Sequence, residues 1–193
     1  MYEEFVFDKL WIVLPMWLVL YVSDYLLTIL GARYYKAGAC DHFVFEGSYE
    51  LTPEFQPDVD ALRLFSRKFL RAVIISTAIF SSLWYISHQD KVCMFIFKFV
   101  CGGMILSEVP IHIRHARNIA LFRLARSHQG ISGQVTYKRW VLYRLSCIEL
   151  AGFVFLFLIV FLLTGSVPFL GGSFCAAATA LKHVRLCRRE ALR

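Results

Sequence analysis

Three acidic side chains occur inside stretches that are otherwise apolar enough to cross a membrane: Asp24, Glu108 and Glu149. A carboxylate in hydrocarbon is costly unless it is paired or neutralised, so an ionisable residue within a span is a candidate functional residue. Each of the three is predicted to lie about 7 to 11 Å from the same membrane boundary, at 1.5 Å of rise per helical residue. The sequence therefore predicts a shared polar layer, with these residues as ion or proton acceptors.

A second pattern adds two imidazoles to this layer. Glu108, His112 and His115 are separated by four and three residues, which places them on one face of a helix. A carboxylate and two imidazoles could bind zinc, iron or another divalent metal ion, with Asp24 or Glu149 completing the site. Two alternatives stay open for the histidines: hydrogen bonds to lipid phosphates at the headgroup level, or a proton relay.

A long loop follows the first span, over residues 32–66. Connections of this length are usually functional or disordered, and the aromatic residues of this one favour order. His42 and Glu50 are candidate ligands that the loop could lend to the polar layer. The plainer alternative is that the acidic residues of the loop pair with Arg114 and Arg117.

The composition predicts an all-α polytopic helix bundle that forms a single membrane domain. Of the 193 residues, 58% are hydrophobic and only 18% are charged. A span needs about 20 mostly apolar residues. About five segments qualify, the last of them short and rich in glycine and alanine: 10–31, 69–87, 92–113, 143–164 and 167–181. An inner loop follows at 114–142, helical to about Arg126, and a basic tail at 182–193.

The distribution of basic residues predicts the orientation. With the N-terminus outside and the C-terminus inside, all but three of the 21 lysine and arginine residues lie on the inner side. The exceptions are Lys9, Lys91 and Lys98. A four-span topology would leave the basic tail outside. We therefore expect an integral protein of the plasma membrane or of a bacterial inner membrane.

Basic residues beside the spans are expected to contact anionic lipid headgroups rather than nucleic acid. Pro57 and Asp58 are typical of a helix start, so the second helix is expected to begin in the loop and to carry a basic ridge with a four-residue spacing. The candidates for headgroup contact are Arg63, Arg67, Arg71, Arg114 and Arg117.

Small residues recur every four positions near the C-terminus, at Gly172, Ala176 and Ala180. Such a strip lets two helices approach closely, either within one subunit or between subunits. Five spans in 193 residues leave little room for an internal pathway. We therefore expect a homo-oligomer or a partner in a membrane complex.

Three functions remain open on the sequence alone. The favoured one is a transporter or channel subunit that binds a cation or proton near the cytoplasmic face. The second is an accessory or assembly subunit without chemistry of its own, whose buried acids pair with Lys98, with Arg144 or with a partner. The third is an enzyme that uses a divalent metal ion to act on a lipid; catalytic residues are not identified, and a non-catalytic role is favoured.

Overall fold

In the computed structural model, residue 7 and residues 9–47, 50–52, 54–127 and 130–192 are described. Short parts of the predicted loops 32–66 and 114–142, and the last residue of the tail, lie outside the described residues. Within the described residues the structure is mainly helical, with one short pair of strands. Its elements are α1 (Leu10–Lys36), a 3-10 turn (Ala39–Asp41), β1 (Phe43–Phe45), α2 (Gln56–Asp60), α3 (Arg67–Ser87), α4 (Lys91–Arg126), β2 (Val135–Tyr137), α5 (Arg139–Thr164) and α6 (Val167–Ala191).

Four helices, α1, α3, α4 and α5, are long and apolar enough to cross a membrane. Each of them contains one of the first four predicted spans. Large apolar side chains on their surfaces are exposed, for example Leu163 at 81%, which is typical of contact with lipid. The remaining long helix, α6, is more polar overall because its second half carries Lys182, Arg185, Arg188 and Arg189. It contains the predicted fifth segment and continues through the basic tail.

Helix α4 is the central element and extends well past the predicted third span, to Arg126. This extension agrees with the expectation that the second inner loop begins as a helix. The helix begins at a well-formed cap, because the Asp90 carboxylate accepts hydrogen bonds from the backbone N–H groups of Val92 (2.6 Å) and Cys93 (2.9 Å). Its length lets α4 contribute side chains both to the bundle and to the loops beyond it.

The start of the second long helix differs from the prediction. Pro57 begins the separate short helix α2, which ends before Leu62, a residue with a φ of 52°. Helix α3 starts afresh after Ser66, whose side chain accepts a hydrogen bond from the backbone N–H of Phe69. A non-glycine residue in the left-handed region interrupts a helix, and the four-residue spacing of the arginines gave no sign of it.

The predicted basic ridge is therefore wrong in one of its three members. Arg63 lies between α2 and α3 and forms an ion pair with Asp58 at 3.1 Å. Arg67 and Arg71 lie on the first turns of α3 and are exposed. The Arg63 side chain is also exposed, at 65%, so headgroup contact by all three arginines stays a prediction.

Helix α6 packs between α4 and α5, while α1 and α3 pack against the rest of α4. The closest approach joins α4 to α6: a Cβ atom added at Gly171 would lie only 1.9 Å from the carbonyl oxygen of Phe99. The predicted strip of Gly172, Ala176 and Ala180 is buried inside the chain. The strip therefore serves packing within the subunit.

The segments that follow α1 and α4 are joined by a parallel pair of strands that the sequence did not predict. Phe43 of β1 lies opposite Val135 of β2, and Phe45 lies opposite Tyr137. Phe43 and Phe45 pack against Phe122 in the extension of α4, with ring centroids 6.0 and 6.3 Å apart. The described part of loop 32–66 is thus ordered, as its aromatic content indicated, and with β2 it forms a cap over one end of the bundle.

Candidate functional site

A cavity of about 760 Å³ lies beneath this cap, between α1, α4, α5 and α6. Its volume is within the range of small-molecule sites, about 300 to 1,000 Å³. All three acids that the sequence singled out line it: Asp24 from α1, Glu108 from α4 and Glu149 from α5. The structure therefore brings together residues that are more than 120 positions apart at the extremes.

Asp24 and His115 form the polar link between α1 and α4. His115 Nε2 lies 2.7 Å from Asp24 Oδ1 and 3.2 Å from Thr28 Oγ1. Thr28 in turn donates its hydroxyl hydrogen to the main-chain carbonyl of Asp24. The His115 side chain is 10% exposed, and within the described residues its Nδ1 has no hydrogen-bond partner. This ring nitrogen is a vacant position for a proton or a ligand.

Glu108 is the most deeply buried of the three acids, with its side chain 7% exposed. Its Oε2 atom is buried and accepts no hydrogen bond from any residue that the structure describes. The nearest basic group is His112 Nδ1, 3.8 Å away, and the Asp24 carboxylate is close enough to repel it electrostatically. A buried acceptor left unsatisfied costs about 1 to 3 kcal/mol. Glu108, like His115, is therefore a cavity side chain with unused binding capacity.

His112 points away from the cavity and into the contact between α1 and α4. Its Nε2 lies 2.7 Å from Ser23 Oγ, and its Nδ1 lies 2.8 Å from the carbonyl oxygen of Glu108. Ser23 also donates to the carbonyl oxygen of Leu20. His112 thus joins two helices through hydrogen bonds and leaves neither ring nitrogen for the cavity.

The predicted metal-ligand set does not assemble. Across the described ranges, no group of three or more histidine, cysteine, aspartate or glutamate side chains is placed to hold a metal ion. Glu108, His112 and His115 share one face of α4, but positions on a helix face are offset along the axis. Each histidine consequently meets a different partner on α1 instead of converging with the other on one point.

Glu149 is neutralised by arginines from α4. Arg114 Nε donates to Glu149 Oε2 at 2.9 Å, and Arg117 Nη1 lies 4.0 Å from Oε1. The Arg114 and Glu149 side chains are only 17% and 16% exposed. Arg114 therefore faces α5 rather than lipid headgroups, which corrects that expectation, whereas Arg117 is 55% exposed.

This ion pair also corrects the two partnerships considered from the sequence. The acids of loop 32–66 are not the partners that Arg114 and Arg117 show in the structure, and Glu149 pairs with neither Lys98 nor Arg144 among the described contacts. The cause is the continuation of α4 beyond the predicted span, which places Arg114 opposite α5. The face of this extension that meets α5 depends on the rotation of the helix about its axis, which hydrophobic patterning did not predict.

Of the two loop candidates, Glu50 reaches the cavity and His42 does not. Glu50 lines the cavity and accepts a hydrogen bond from the backbone N–H of Thr52 at 2.6 Å. Burial is the largest effect on Glu50 and raises the pKa of its carboxyl. The hydrogen bonds with Thr52 lower this pKa, the charge of Asp24 raises it, and the electrostatic interaction with His115 lowers it. His42 lies beside β2 instead, with Nδ1 2.9 Å from the carbonyl oxygen of Gly133.

An aromatic wall lies next to these carboxylates, and sequence analysis missed it. Tyr21, Tyr25, Phe55 and Phe69 all line the cavity. The Tyr25 and Phe69 rings are stacked with centroids 4.3 Å apart, Tyr21 stacks on Phe69 at 5.3 Å, and Phe55 meets Tyr25 edge-on at 6.4 Å. The available signal was the pair of tyrosines that flanks Asp24 on α1, four residues apart.

The opposite side of the cavity carries His183, which the sequence analysis also missed. His183 Nδ1 lies 2.9 Å from Ser146 Oγ. Burial, and then the positive charges of Arg114 and Lys182, lower the pKa of His183 to about 4, so the ring is neutral at pH 7. This residue follows the 167–181 segment and looked, from the sequence, like part of a solvated tail.

The cavity therefore has two chemically different sides. One holds Asp24, Glu108, His115 and Glu50 beside aromatic rings, and the other holds the neutralised pair of Glu149 with Arg114. No protein-family model matches the chain, and no curated protein or solved structure gives a significant match. The function is accordingly inferred from the chemistry of this cavity.

Proposed function

We propose that this chain is a multi-pass membrane protein that binds a proton or another cation at Asp24, Glu108 and His115, as a transporter or channel subunit does. The observation that carries the proposal is the buried Glu108 oxygen without a donor, beside the Asp24–His115 pair. A carboxylate in an apolar cavity is satisfied when it takes up a proton or pairs with a cation.

Proton exchange in this site has acceptors of two kinds, the Asp24 and Glu108 carboxylates and the His115 imidazole. A proton added at His115 Nδ1 converts its contact with Asp24 into a charge pair, whereas a proton on Glu108 satisfies the lone oxygen. Histidine is suited to such exchange because its ordinary pKa is near neutrality. Glu149 has a structural role in this proposal, because Arg114 already neutralises it.

The proposed setting is a plasma membrane or bacterial inner membrane, with five spans, the N-terminus outside and the C-terminus inside. The basic residues in the loops on the capped side support this orientation. The cavity then lies near the cytoplasm, and the exposed Arg67, Arg71 and Arg117 contact anionic headgroups. We further propose that the protein assembles with copies of itself or with a membrane partner.

The other two functions find less support in the cavity. An enzyme that uses a divalent metal ion would need a ligand set, and none is formed within the part of the chain that the structure describes. An accessory subunit would need no vacant acceptor, since a scaffold gains stability when every buried carboxylate is paired. The unsatisfied Glu108 oxygen therefore favours binding.

The test is proton flux into liposomes that contain the purified protein and a trapped pH-sensitive dye. An imposed pH gradient, with a potassium diffusion potential to balance charge, should drive flux in the unaltered protein. Asp24→Asn and Glu108→Gln should each lower the flux at least about tenfold. Glu46→Gln changes an exposed loop carboxylate and should leave it unchanged. Equal flux in all four proteins, or no flux in the unaltered one, would refute transport of protons.

A further inference from the structure

We infer that the cavity binds an organic cation, a hydrophobic amine or quaternary ammonium group, with its charge beside Glu108 and Asp24 and its hydrocarbon against the aromatic wall. This inference rests on the proposed function, because it names the class of ligand for the same site. Four observations carry it: the size of the cavity, the vacant carboxylate oxygen, the neighbouring rings and the charge balance of the walls.

The cavity is too large for an inorganic ion alone. A water molecule occupies about 30 Å³ of liquid, whereas the cavity measures about 760 Å³. A bare metal ion would also need several ligands at fixed distances, and the described residues offer no group of three that could supply them. Space of this size with apolar walls fits an organic molecule.

The vacant oxygen supplies the charge that such a molecule would meet. Glu108 is 7% exposed, lines the cavity, and has one carboxylate oxygen without a hydrogen-bond donor among the described residues. The Asp24 carboxylate is close enough to interact electrostatically with both Glu108 and Glu50. Three carboxylates with one histidine between them make this side of the cavity attractive to a cation.

The aromatic wall supplies the second half of the recognition. Stacked neighbours cover the ring faces, because Tyr21 lies between Trp17 and Phe69, and Phe69 lies between Tyr21 and Tyr25. These rings therefore offer apolar contact surface to the hydrocarbon part of a ligand. Tyr21, Tyr25 and Phe69 form a continuous stack beside Asp24, and Phe55 closes it edge-on. A quaternary ammonium group has no N–H and needs no hydrogen-bond acceptor from the protein, which suits a wall that is mostly carbon.

The remaining walls disfavour an anion. Both arginines of the cavity lie beside Glu149, Arg114 with its Nε atom at 2.9 Å and Arg117 with its Nη1 atom at 4.0 Å. An anionic ligand would have to compete with Glu149 for them and would still face the three other carboxylates. The other side of the cavity offers aliphatic surface for the hydrocarbon part of a cation. That surface comprises Ile111, Leu142, Leu145, Ile148 and Leu150.

A cation and a proton would compete for Glu108 and Asp24, because each satisfies the same oxygen atoms. Binding of the organic cation should therefore release protons, and its affinity should rise with pH. No covalent step is involved. Such competition is the coupling that an exchanger of protons for organic cations requires.

The test measures binding of tetraphenylphosphonium to the purified full-length protein by equilibrium dialysis, with tetraphenylborate as the matched anion of nearly the same shape. The phosphonium should bind at one site per chain and the borate should not. Glu108→Gln should weaken phosphonium binding about tenfold, and Phe69→Leu, which removes apolar contact area, about three- to tenfold. Glu46→Gln should have no effect. Thermal unfolding of each variant verifies that it is folded.

Two results would overturn the inference: equal binding of phosphonium and borate, which indicates partition into apolar surface, or binding that neither Glu108→Gln nor Phe69→Leu alters. The liposome assay of proton flux distinguishes failure of this inference from failure of the proposed function. If proton flux depends on Glu108 but phosphonium does not bind, the organic-cation ligand is refuted and proton transport stands. Phosphonium binding at Glu108 without any flux refutes proton transport and leaves the binding site.

Discussion

Three acidic residues of similar sequence context have different partners in the folded protein. Glu149 is held by Arg114, Asp24 by His115, and Glu108 keeps a buried oxygen without a donor within the described chain. Hydrophobic patterning predicted the common level of all three because depth follows from position along a helix. It could not predict the partners, since these depend on how each helix is rotated about its axis.

Glu50 gives a prediction that depends on pH. Its pKa is raised in the folded protein, chiefly by burial, so the folded protein binds this proton more tightly than the unfolded chain does. The free energy of unfolding should therefore fall as pH rises from the ordinary glutamate value of 4.5 through the raised one. Glu50→Gln removes this contribution, so the variant should gain stability relative to the unaltered protein as pH rises.

The measurement is thermal unfolding in detergent over a pH series, followed by tryptophan fluorescence. Glu46→Gln is the matched control, because its carboxylate is exposed on the same loop. The stability difference between this control and the unaltered protein should be nearly constant with pH. A Glu50→Gln variant whose difference is also constant would contradict the burial of Glu50 against Asp24.

Among the helices, apolar length predicted where most elements lie, and local backbone geometry explains the failures. The long continuation of α4 followed from the sequence, whereas the break at Leu62 and the pairing of β1 with β2 did not. A left-handed residue and a parallel ladder of three residues per strand depend on tertiary contacts more than on local pattern. The cap over the cavity was for this reason beyond prediction.

The crossing of α4 and α6 is tested by adding one methyl group. In Gly171→Ala the new Cβ would lie 1.9 Å from the Phe99 carbonyl oxygen, so the two backbones must separate. We expect a loss of about 1 to 3 kcal/mol in the free energy of unfolding. The measurement is reversible unfolding in mixed detergent micelles.

Gly152→Ala is the control for that variant. Gly152 lies on α5 with no atom within 4 Å of an added Cβ. Alanine is favoured over glycine in a helix by up to about 1 kcal/mol, so this variant should be neutral or slightly stabilised. If Gly171→Ala is as neutral or as slightly stabilised as Gly152→Ala, only helix propensity acts at both positions and the close crossing is incorrect.

For the molecule as a whole, the orientation rests on charge and the number of spans rests on α6. Four helices are apolar enough to cross a membrane, and α6 is more polar but packs between α4 and α5. If α6 crosses as proposed, the loop at Gly165 and the C-terminus lie on opposite sides. The positive-inside rule then puts the C-terminus in the cytoplasm.

Reporter fusions in a bacterial host test this arrangement. Alkaline phosphatase, which is active only outside the cytoplasm, should be active when fused after Gly165 and inactive when fused after residue 193. Green fluorescent protein should give the reverse pattern. Activity of phosphatase at both positions would mean that α6 does not cross and that the basic tail lies outside.

The meeting of α1 and α4 through Asp24 and His115 underlies both proposals, and a double-mutant cycle measures it. The free energy of unfolding is determined for the unaltered protein, Asp24→Asn, His115→Gln and the double variant. A contact at 2.7 Å predicts a coupling energy of about 0.5 to 3 kcal/mol. The pair of Asp24→Asn with Glu46→Gln should be additive. If the unfolding free-energy changes of Asp24→Asn and His115→Gln are also additive, these side chains do not meet and the proposed site is wrong.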